Sequence, residues 1–223
     1  MLLINNTNIN PYFNLAMEEY FLKNAKEDIF LLWQNENAII VGKNQNTLSE
    51  INYDYVKNNN IKVVRRQSGG GAVFHDLGNI NFTFISYNDN SFSDFKKFTM
   101  PIVAALKELN INAEFSGRND LLIDGCKFSG NAQYNYKNNV MHHGTLLFSS
   151  KINDLSAALK VKPSKFEGKG VKSVKSRVTN ISNHLGKEMS VVEFKDYLLN
   201  FINKRDENSH FYELTQEDIE NIN

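Results

Sequence analysis

Residues 65–86, Arg65-Arg66-Gln67-Ser68-Gly69-Gly70-Gly71-Ala72-Val73-Phe74-His75-Asp76-Leu77-Gly78-Asn79-Ile80-Asn81-Phe82-Thr83-Phe84-Ile85-Ser86, concentrate groups suited to holding an anion. Arginine carries a planar fork of donors that matches phosphate or carboxylate. Three consecutive glycines, without Cβ, let backbone N–H groups come close to a ligand. The run is not a Walker loop, which needs Gly-Lys-Ser/Thr opening a helix, and not a Gly-x-Gly-x-x-Gly turn. Three glycines alone are equally well a strained structural turn. The neighbouring arginines, Ser68 and His75 favour anion binding.

A second stretch with chemistry in it spans residues 117–148. Gly117-Arg118-Asn119-Asp120 precedes the short apolar run Leu121-Leu122-Ile123, and Asp124-Gly125 returns the chain into Cys126-Lys127-Phe128-Ser129-Gly130-Asn131-Ala132-Gln133. A lysine on a strand is, by its type alone, a surface residue. His142 and His143 occupy successive strand positions and so point to opposite faces, which lets at most one of them line a site. His143 and His75 read equally as pocket-lining or as structural. Two such histidines without a third ligand at metal spacing do not make a zinc site. The third stretch, residues 168–181, alternates basic and small residues, with Lys169, Lys175 and Arg177 among them. It suits a loop closing over an anion, or a solvated basic strand.

The motif Arg65-Arg66-x-Ser68-Gly69-Gly70-Gly71-Ala72-Val73-Phe74-His75-Asp76-x-Gly78-Asn79 resembles the signature of lipoate–protein ligases. The similarity continues in Asn14-Leu15-Ala16-Met17-Glu18-Glu19, Trp33-Gln34-Asn35, Gly42-Lys43-Asn44-Gln45-Asn46 and Lys127-x-Ser129-Gly130-x-Ala132. The resemblance implies an enzyme that activates lipoate with ATP as lipoyl-AMP and passes the lipoyl group to a lysine of an acceptor domain. The acceptors implied are subunits of 2-oxoacid dehydrogenases or the glycine cleavage H protein. It implies ATP contacts at Arg66, Gly71, Ala72, Val73 and Phe74, and makes Lys127 the residue touching both ATP and lipoate. His75 and His143 are the candidates to line the lipoate pocket. Ser68, Asn119, Asp120, Lys169, Lys175 and Arg177 are candidates for adenylate or phosphate, with Mg2+ expected to come with ATP through Asp120. The chemistry explains these types: two anions must be brought in line, so positioning and cationic groups carry the catalysis.

Two departures stand out against the family. Tyr134 stands where members can carry an arginine, seven residues after the lysine. The smaller C-terminal accessory domain of most members has no counterpart here, so a separate accessory-domain protein, or a trimmed chain, is expected. Two rival functions remain in view. An octanoyl- or lipoyl-transferase acting without ATP needs a nucleophilic cysteine, and Cys126 is the one cysteine in the chain. A non-catalytic module binding lipoate or nucleotide would not need Lys127 and Arg66 together.

Composition narrows the class. The 223 residues suffice for one domain, taken as 1–223, with a sizeable core. Twenty-five basic and 25 acidic residues give zero net charge, which argues against a nucleic-acid binder. The lone cysteine excludes an internal disulfide and suits a reducing compartment. No apolar stretch reaches transmembrane length and no signal layout opens the chain, so a cytoplasmic protein without a membrane partner is expected.

The elements that must position these groups follow from periodicity. A helix is predicted over 11–24, strands over 29–33 and 38–42, a helix near 48–58 and a strand over 61–65. Residues 65–86 predict a β-hairpin with a glycine-rich entry, because the Asp76–Asn79 turn separates an apolar run from the alternation Ile80, Phe82, Phe84. Residues 93–109 carry a helical stripe interrupted by Pro101, which predicts a kink or a start near Thr99. An antiparallel meander follows over 117–148, turning at Asn138-Asn139. A helix over 188–203 is expected to bury Val192, Tyr197, Leu198 and Phe201, and a short helix over 216–222 ends the chain. The fold expected is α/β (α+β): a mixed, largely antiparallel sheet flanked by helices, similar to the biotin and lipoate ligase catalytic domain.

Overall fold

The computed structural model describes residues 1–89, 91–117, 119–159 and 177–223. In chain order its elements are β1 (Leu2–Asn5), α1 (Pro11–Asn24), β2 (Ile29–Trp33), β3 (Ala38–Val41), α2 (Thr47–Glu50), α3 (Tyr53–Asn58), β4 (Lys62–Arg65), β5 (Val73–His75) and β6 (Asn79–Ser86). Then come α4 (Phe95–Glu108), β7 (Ala113–Ser116), β8 (Asp120–Ile123), β9 (Cys126–Tyr136), β10 (Asn139–Leu147), α5 (Ile152–Ala158), α6 (Val191–Asn203), β11 (His210–Phe211) and α7 (Gln216–Ile222).

An eight-stranded sheet runs β11-β1-β2-β6-β10-β9-β8-β7, and a three-stranded sheet runs β4-β3-β5. In the large sheet β1 pairs in parallel with β11 and β2, and the remaining pairs are antiparallel. Its strand β2, covered on both faces, reads as an unbroken apolar run. In β2 Phe30 and Leu32 join Phe82, Leu146, Ile102, Leu106, Phe194 and Leu198 on the side of α4 and α6. Ile29, Leu31 and Trp33 join Phe13, Met17, Met141 and Ile222 on the side of α1 and α7. A third cluster, with Ile39, Val41, Val56 and Phe74, lies under the small sheet.

The predicted hairpin over 65–86 does not form. β5 pairs with β3 in the small sheet, while both edges of β6 are taken by β2 and β10. The turn between them instead carries the chain from one sheet to the other. Asp76 holds it by accepting from the N–H of Gly78 at 2.9 Å and of Lys151 at 2.7 Å. The carbonyl of Gly78 accepts from Phe148 and Ser149, so closely that a Cβ at Gly78 would stand 2.3 Å from the Ser149 oxygen.

Four smaller expectations are corrected by local chemistry. The helix near 48–58 divides at Asn52, whose side chain accepts from the Tyr55 N–H and starts α3 anew. Helix α4 starts at Phe95, not near Thr99, because Asp94 caps it by accepting from the Lys97 N–H at 3.0 Å; Pro101 lies inside it. The turn of the long hairpin falls at Lys137-Asn138, where Lys137 takes φ of +53° and Asn139 already pairs with Tyr136. Val192 is 65% exposed, one residue into a helix that buries Phe194, Leu198 and Phe201 on its far side.

Helix α7 is fastened to α1 through one carboxylate. Asp218 accepts from the hydroxyls of Tyr20 (2.8 Å), Tyr212 (2.6 Å) and Thr215 (2.8 Å) and from the Thr215 N–H (2.9 Å). Burial pushes its carboxyl up, but the hydrogen bonds from Tyr212, the Thr215 backbone and Tyr20 together hold it below the ordinary carboxylate range. The same contact with Asp218 pushes Tyr20 up to about 12. Asp218→Ala is therefore expected to cost roughly 2–4 kcal/mol, because it strands several donors at once. Since the folded carboxyl is the stronger acid, its contribution is complete above the ordinary aspartate range and fades as pH falls through the folded value. Urea unfolding of the variant at neutral pH checks the magnitude, and a loss under half a kcal/mol would contradict it.

Candidate active site

The glycine loop, residues 66–72, links β4 to β5 and folds over the end of β3. The Arg66 N–H donates to the Val41 carbonyl at 3.0 Å, and the Lys43 N–H to the Ser68 carbonyl at 2.9 Å. Gly42 and Gly70 meet backbone to backbone: a Cβ on Gly42 would stand 2.1 Å from the Gly70 oxygen. Gly70 itself has φ of +98°, the left-handed region that favours glycine. The Arg66 guanidinium turns inward, donating to Ser68 Oγ (3.0 Å) and to the carbonyls of Ile40 (3.1 Å), Gly69 (2.7 Å) and Gly71 (2.8 Å). Arg66 thus shapes the loop from beneath. Its burial pulls its pKa down to about 10, against the opposing charge of Glu18. Ala72 is buried, and Val73 and Phe74 pair with Ile40 and Ile39. Among the described residues β5 is the edge of its sheet, so the backbone groups on its outer side face away from β3.

Lys127 is placed by an irregularity. The pairing of β8 with β9 shifts between Leu121 and Leu122, so that Leu121 faces Ser129 and Leu122 faces Lys127. Such a bulge re-aims a side chain that strict alternation would send to the other face. The Lys127 ammonium consequently lies over Gly130, where an added Cβ would come within 3.0 Å of it. Gly130 shares its face with Ala132, and Ala132 pairs with His143, so Lys127 and His143 occupy the same side of the large sheet. Asp120 Oδ1 holds the ammonium at 2.8 Å. Asn119 and Asn131 clasp each other's backbone, at 2.6 and 3.0 Å, and so tie the start of β8 to β9. The other edge of Lys127 bonds to the third stretch: its N–H donates to the Arg177 carbonyl (2.8 Å), and its carbonyl accepts from the Thr179 N–H (2.9 Å). Lys169 and Lys175 lie outside the described residues.

The histidines divide as alternation predicts. His142 is stacked between Phe82 and Phe98 in the core, bonded to Gln133 and Asn131. His143 faces the glycine loop, its Nε2 2.6 Å from Ser68 Oγ and its Nδ1 2.9 Å from Glu18. His75 Nδ1 accepts from Asn35, whose own oxygen accepts from Asn14; its Nε2 is buried without a partner among the described residues. Burial, helped by the Arg66 charge and by the neighbouring His143, pulls His75 down to about 3, and burial beside His143 does the same to His142. Both are bases held neutral, so stability is complete above the ordinary histidine value of 6.5 and is lost progressively as pH falls from there toward about 3. A urea-unfolding free energy that stays flat between about pH 7 and 5 would contradict this.

Beside the loop a cavity of about 220 Å³ opens between α1 and β4, walled by Leu15, Ala16, Glu18, Arg66, Gln67 and Met141. Glu18 is the residue that sequence reasoning passed over. Asn14, Glu18 and Leu22 form a buried i, i+4 stripe beside Phe13, Met17 and Phe21, and that spacing was the available signal. Cys126 is half-buried at the start of β9 as a free thiol. Tyr134 carries the Lys43 ammonium over its ring at 5.0 Å. Among the described residues no three His, Cys, Asp or Glu side chains converge to hold a metal ion. No helix among them is long and apolar enough to cross a membrane.

Comparison with known proteins gives this geometry its context. The family described as the lipoyl protein ligase A/B catalytic domain matches residues 10–203. The chain is 51% identical to the lipoate-protein ligase LplJ of Bacillus subtilis, over all of this chain and 69% of that protein. It is also 51% identical to lipoate–protein ligase 1 of Staphylococcus aureus, again over 100% and 69%. Among solved structures, the bipartite lipoate protein ligase of Thermoplasma acidophilum, studied with its E2 lipoyl domain, superposes with a TM-score of 0.82 at 26% identity, covering 99% of this chain and 89% of that one. P. falciparum LipL1 in complex with lipoate gives 0.80 at 31% identity, over 100% and 70%. A lipoate-protein ligase A bound with ATP gives 0.80 at 25% identity, over 99% and 91%. A family match over most of its length, and relatives half identical to it from end to end, show that this chain is an enzyme belonging to the lipoyl protein ligase A/B catalytic domain family.

Proposed function

We propose that the chain, as one catalytic domain over residues 1–223, joins lipoate to ATP as lipoyl-AMP and transfers the lipoyl group to a lysine of a lipoyl-acceptor domain. The observation that carries this reading is the re-aimed Lys127, a cation held on the sheet face that it shares with His143 and, through His143, with the glycine loop. A relative named for lipoate ligation, and similar structures solved with lipoate and with ATP, support the same assignment.

In this reading the cavity walled by Leu15, Ala16 and Met141 takes the apolar acyl chain. The glycine loop and the outer edge of β5, within Gly71 to Phe74, take the phosphates, with Arg66 holding the loop in shape. Lys127 lies between the two anions. A lipoate carboxylate oxygen attacks the α-phosphorus, and the bond from that phosphorus to the bridging oxygen breaks as pyrophosphate leaves with the electron pair. The acceptor lysine amine then attacks the anhydride carbonyl, loses a proton, and AMP leaves. Lys127 neutralises charge in both steps, and positioned cations of this kind are worth most where water is excluded. Magnesium would arrive with the nucleotide, with Asp120, the carboxylate paired with Lys127, as its candidate ligand. Acceptors of the 2-oxoacid dehydrogenase or H-protein type are the partners this chemistry needs.

Exchange of labelled pyrophosphate into ATP tests the first step. The expected result is exchange that requires lipoate. Exchange indifferent to lipoate would contradict this reading, and a lipoyl transfer that proceeds without ATP and is lost in Cys126→Ser would replace it with the thioester transferase.

A further inference from the structure

The geometry points to Glu18 as a positioning residue that sets the glycine loop through His143 and Ser68; this rests on the nucleotide reading of the loop given above.

Glu18 and Glu19 are neighbours with opposite fates. Glu19 pairs with Lys23 one turn on, at the surface, whereas Glu18 is 2% exposed. A buried carboxylate is costly unless it is paired and hydrogen-bonded. Two chains of hydrogen bonds end on this one. Trp33 Nε1 donates to Thr83 Oγ1 at 3.1 Å, and Thr83 donates onward to Glu18 at 2.5 Å. On the other side His143 Nδ1 lies 2.9 and 3.2 Å from the two Glu18 oxygens.

The direction of every proton along the second chain follows. A carboxylate can only accept, so His143 carries a hydrogen on Nδ1, and the neutral ring then leaves Nε2 bare. Ser68 therefore donates its one hydroxyl hydrogen to Nε2 at 2.6 Å and keeps a lone pair for Arg66 Nε–H at 3.0 Å. Arg66 closes the chain by holding the carbonyls of Gly69 and Gly71. Among the described residues Arg66 bonds only to neutral oxygens, and no carboxylate touches it. Glu18 is its counter-charge at a distance, and its field does raise the Arg66 pKa against burial. Remove Glu18 and the imidazole is free to put its hydrogen on Nε2. Ser68 Oγ would then accept from both Nε2–H and Arg66 Nε–H through its two lone pairs, and its own buried hydrogen would lose the acceptor that fixes the hydroxyl.

Two variants test this. Glu18→Leu removes charge and acceptor; Glu18→Gln keeps an acceptor oxygen and removes only the charge. Ring nitrogen chemical shifts of His143 should show the Nδ1–H tautomer in the wild type and in Glu18→Gln, and an Nε2–H form in Glu18→Leu. The kcat/KM for ATP should fall at least about tenfold in Glu18→Leu, carried by KM, and by about threefold in Glu18→Gln, with the KM for lipoate less affected. If Glu18→Leu does not fold, Glu18→Gln decides. An unchanged tautomer in Glu18→Leu, an unchanged KM for ATP in Glu18→Gln, or a loss confined to lipoate, which would make Glu18 only a cavity wall, overturns the inference. The tautomer is read without substrate. A chain that forms no adenylate yet shows the tautomer change therefore sinks the ligase reading and leaves this one standing.

Discussion

Lys127→Ala is expected to lower lipoyl-adenylate formation by about a hundredfold or more while leaving the fold intact. The two expectations separate because the residue does little for stability. Lys127 and Asp120 remain 28% and 32% exposed, and an ion pair so placed is worth at most about 1 kcal/mol. Its backbone bonds to residues 177 and 179 survive the substitution, so the strand edge is kept. What disappears is the cation between two anions. Measuring pyrophosphate exchange beside thermal unfolding separates the effects: a folded variant exchanging at near wild-type rate shows that the lysine is not the bridging group.

Gly42→Ala carries the next largest expected effect. Its Cβ would meet the Gly70 carbonyl oxygen at 2.1 Å and the Arg66 Nη2 at 3.2 Å, and the nearer obstacle is backbone that cannot turn aside. The loop must move, so we expect a stability loss of about 1–3 kcal/mol and a weakening of ATP binding on the order of ten- to a hundredfold. Gly69→Ala is the control, since an added Cβ there meets nothing within 4 Å. Equal behaviour of the two variants in calorimetric titration with ATP would show that the close packing of Gly42 under Gly70 is immaterial.

The contrast between these glycines shows what the sequence could and could not tell. Gly69, Gly70 and Gly71 announce themselves by adjacency, but the residue that admits the loop is Gly42, 28 positions before Gly70 in the chain. A close approach between distant segments leaves no local pattern. The same limit explains the hairpin that does not form: Ile80, Phe82 and Phe84 alternate legibly, yet which strands they pair with depends on β2 and β10 claiming both edges. Strand β2 was legible as a strand because Ile29–Trp33 is a continuous apolar run, and that both its faces are buried follows from the same run. Lys127 was found by its motif; its orientation depends on a bulge that counting by twos cannot foresee. Glu18 and Glu19 are adjacent and identical in type, and only burial beside His143 separates the first from the second.

The most direct test of ATP-dependent lipoyl transfer is the intact mass of an acceptor lipoyl domain after incubation with this chain, ATP, magnesium and lipoate. The account predicts that the acceptor gains one lipoyl group, that the gain requires ATP, and that it vanishes with Lys127→Ala. An acceptor whose mass is unchanged, both from lipoate with ATP and from ready-made lipoyl-adenylate, would contradict it.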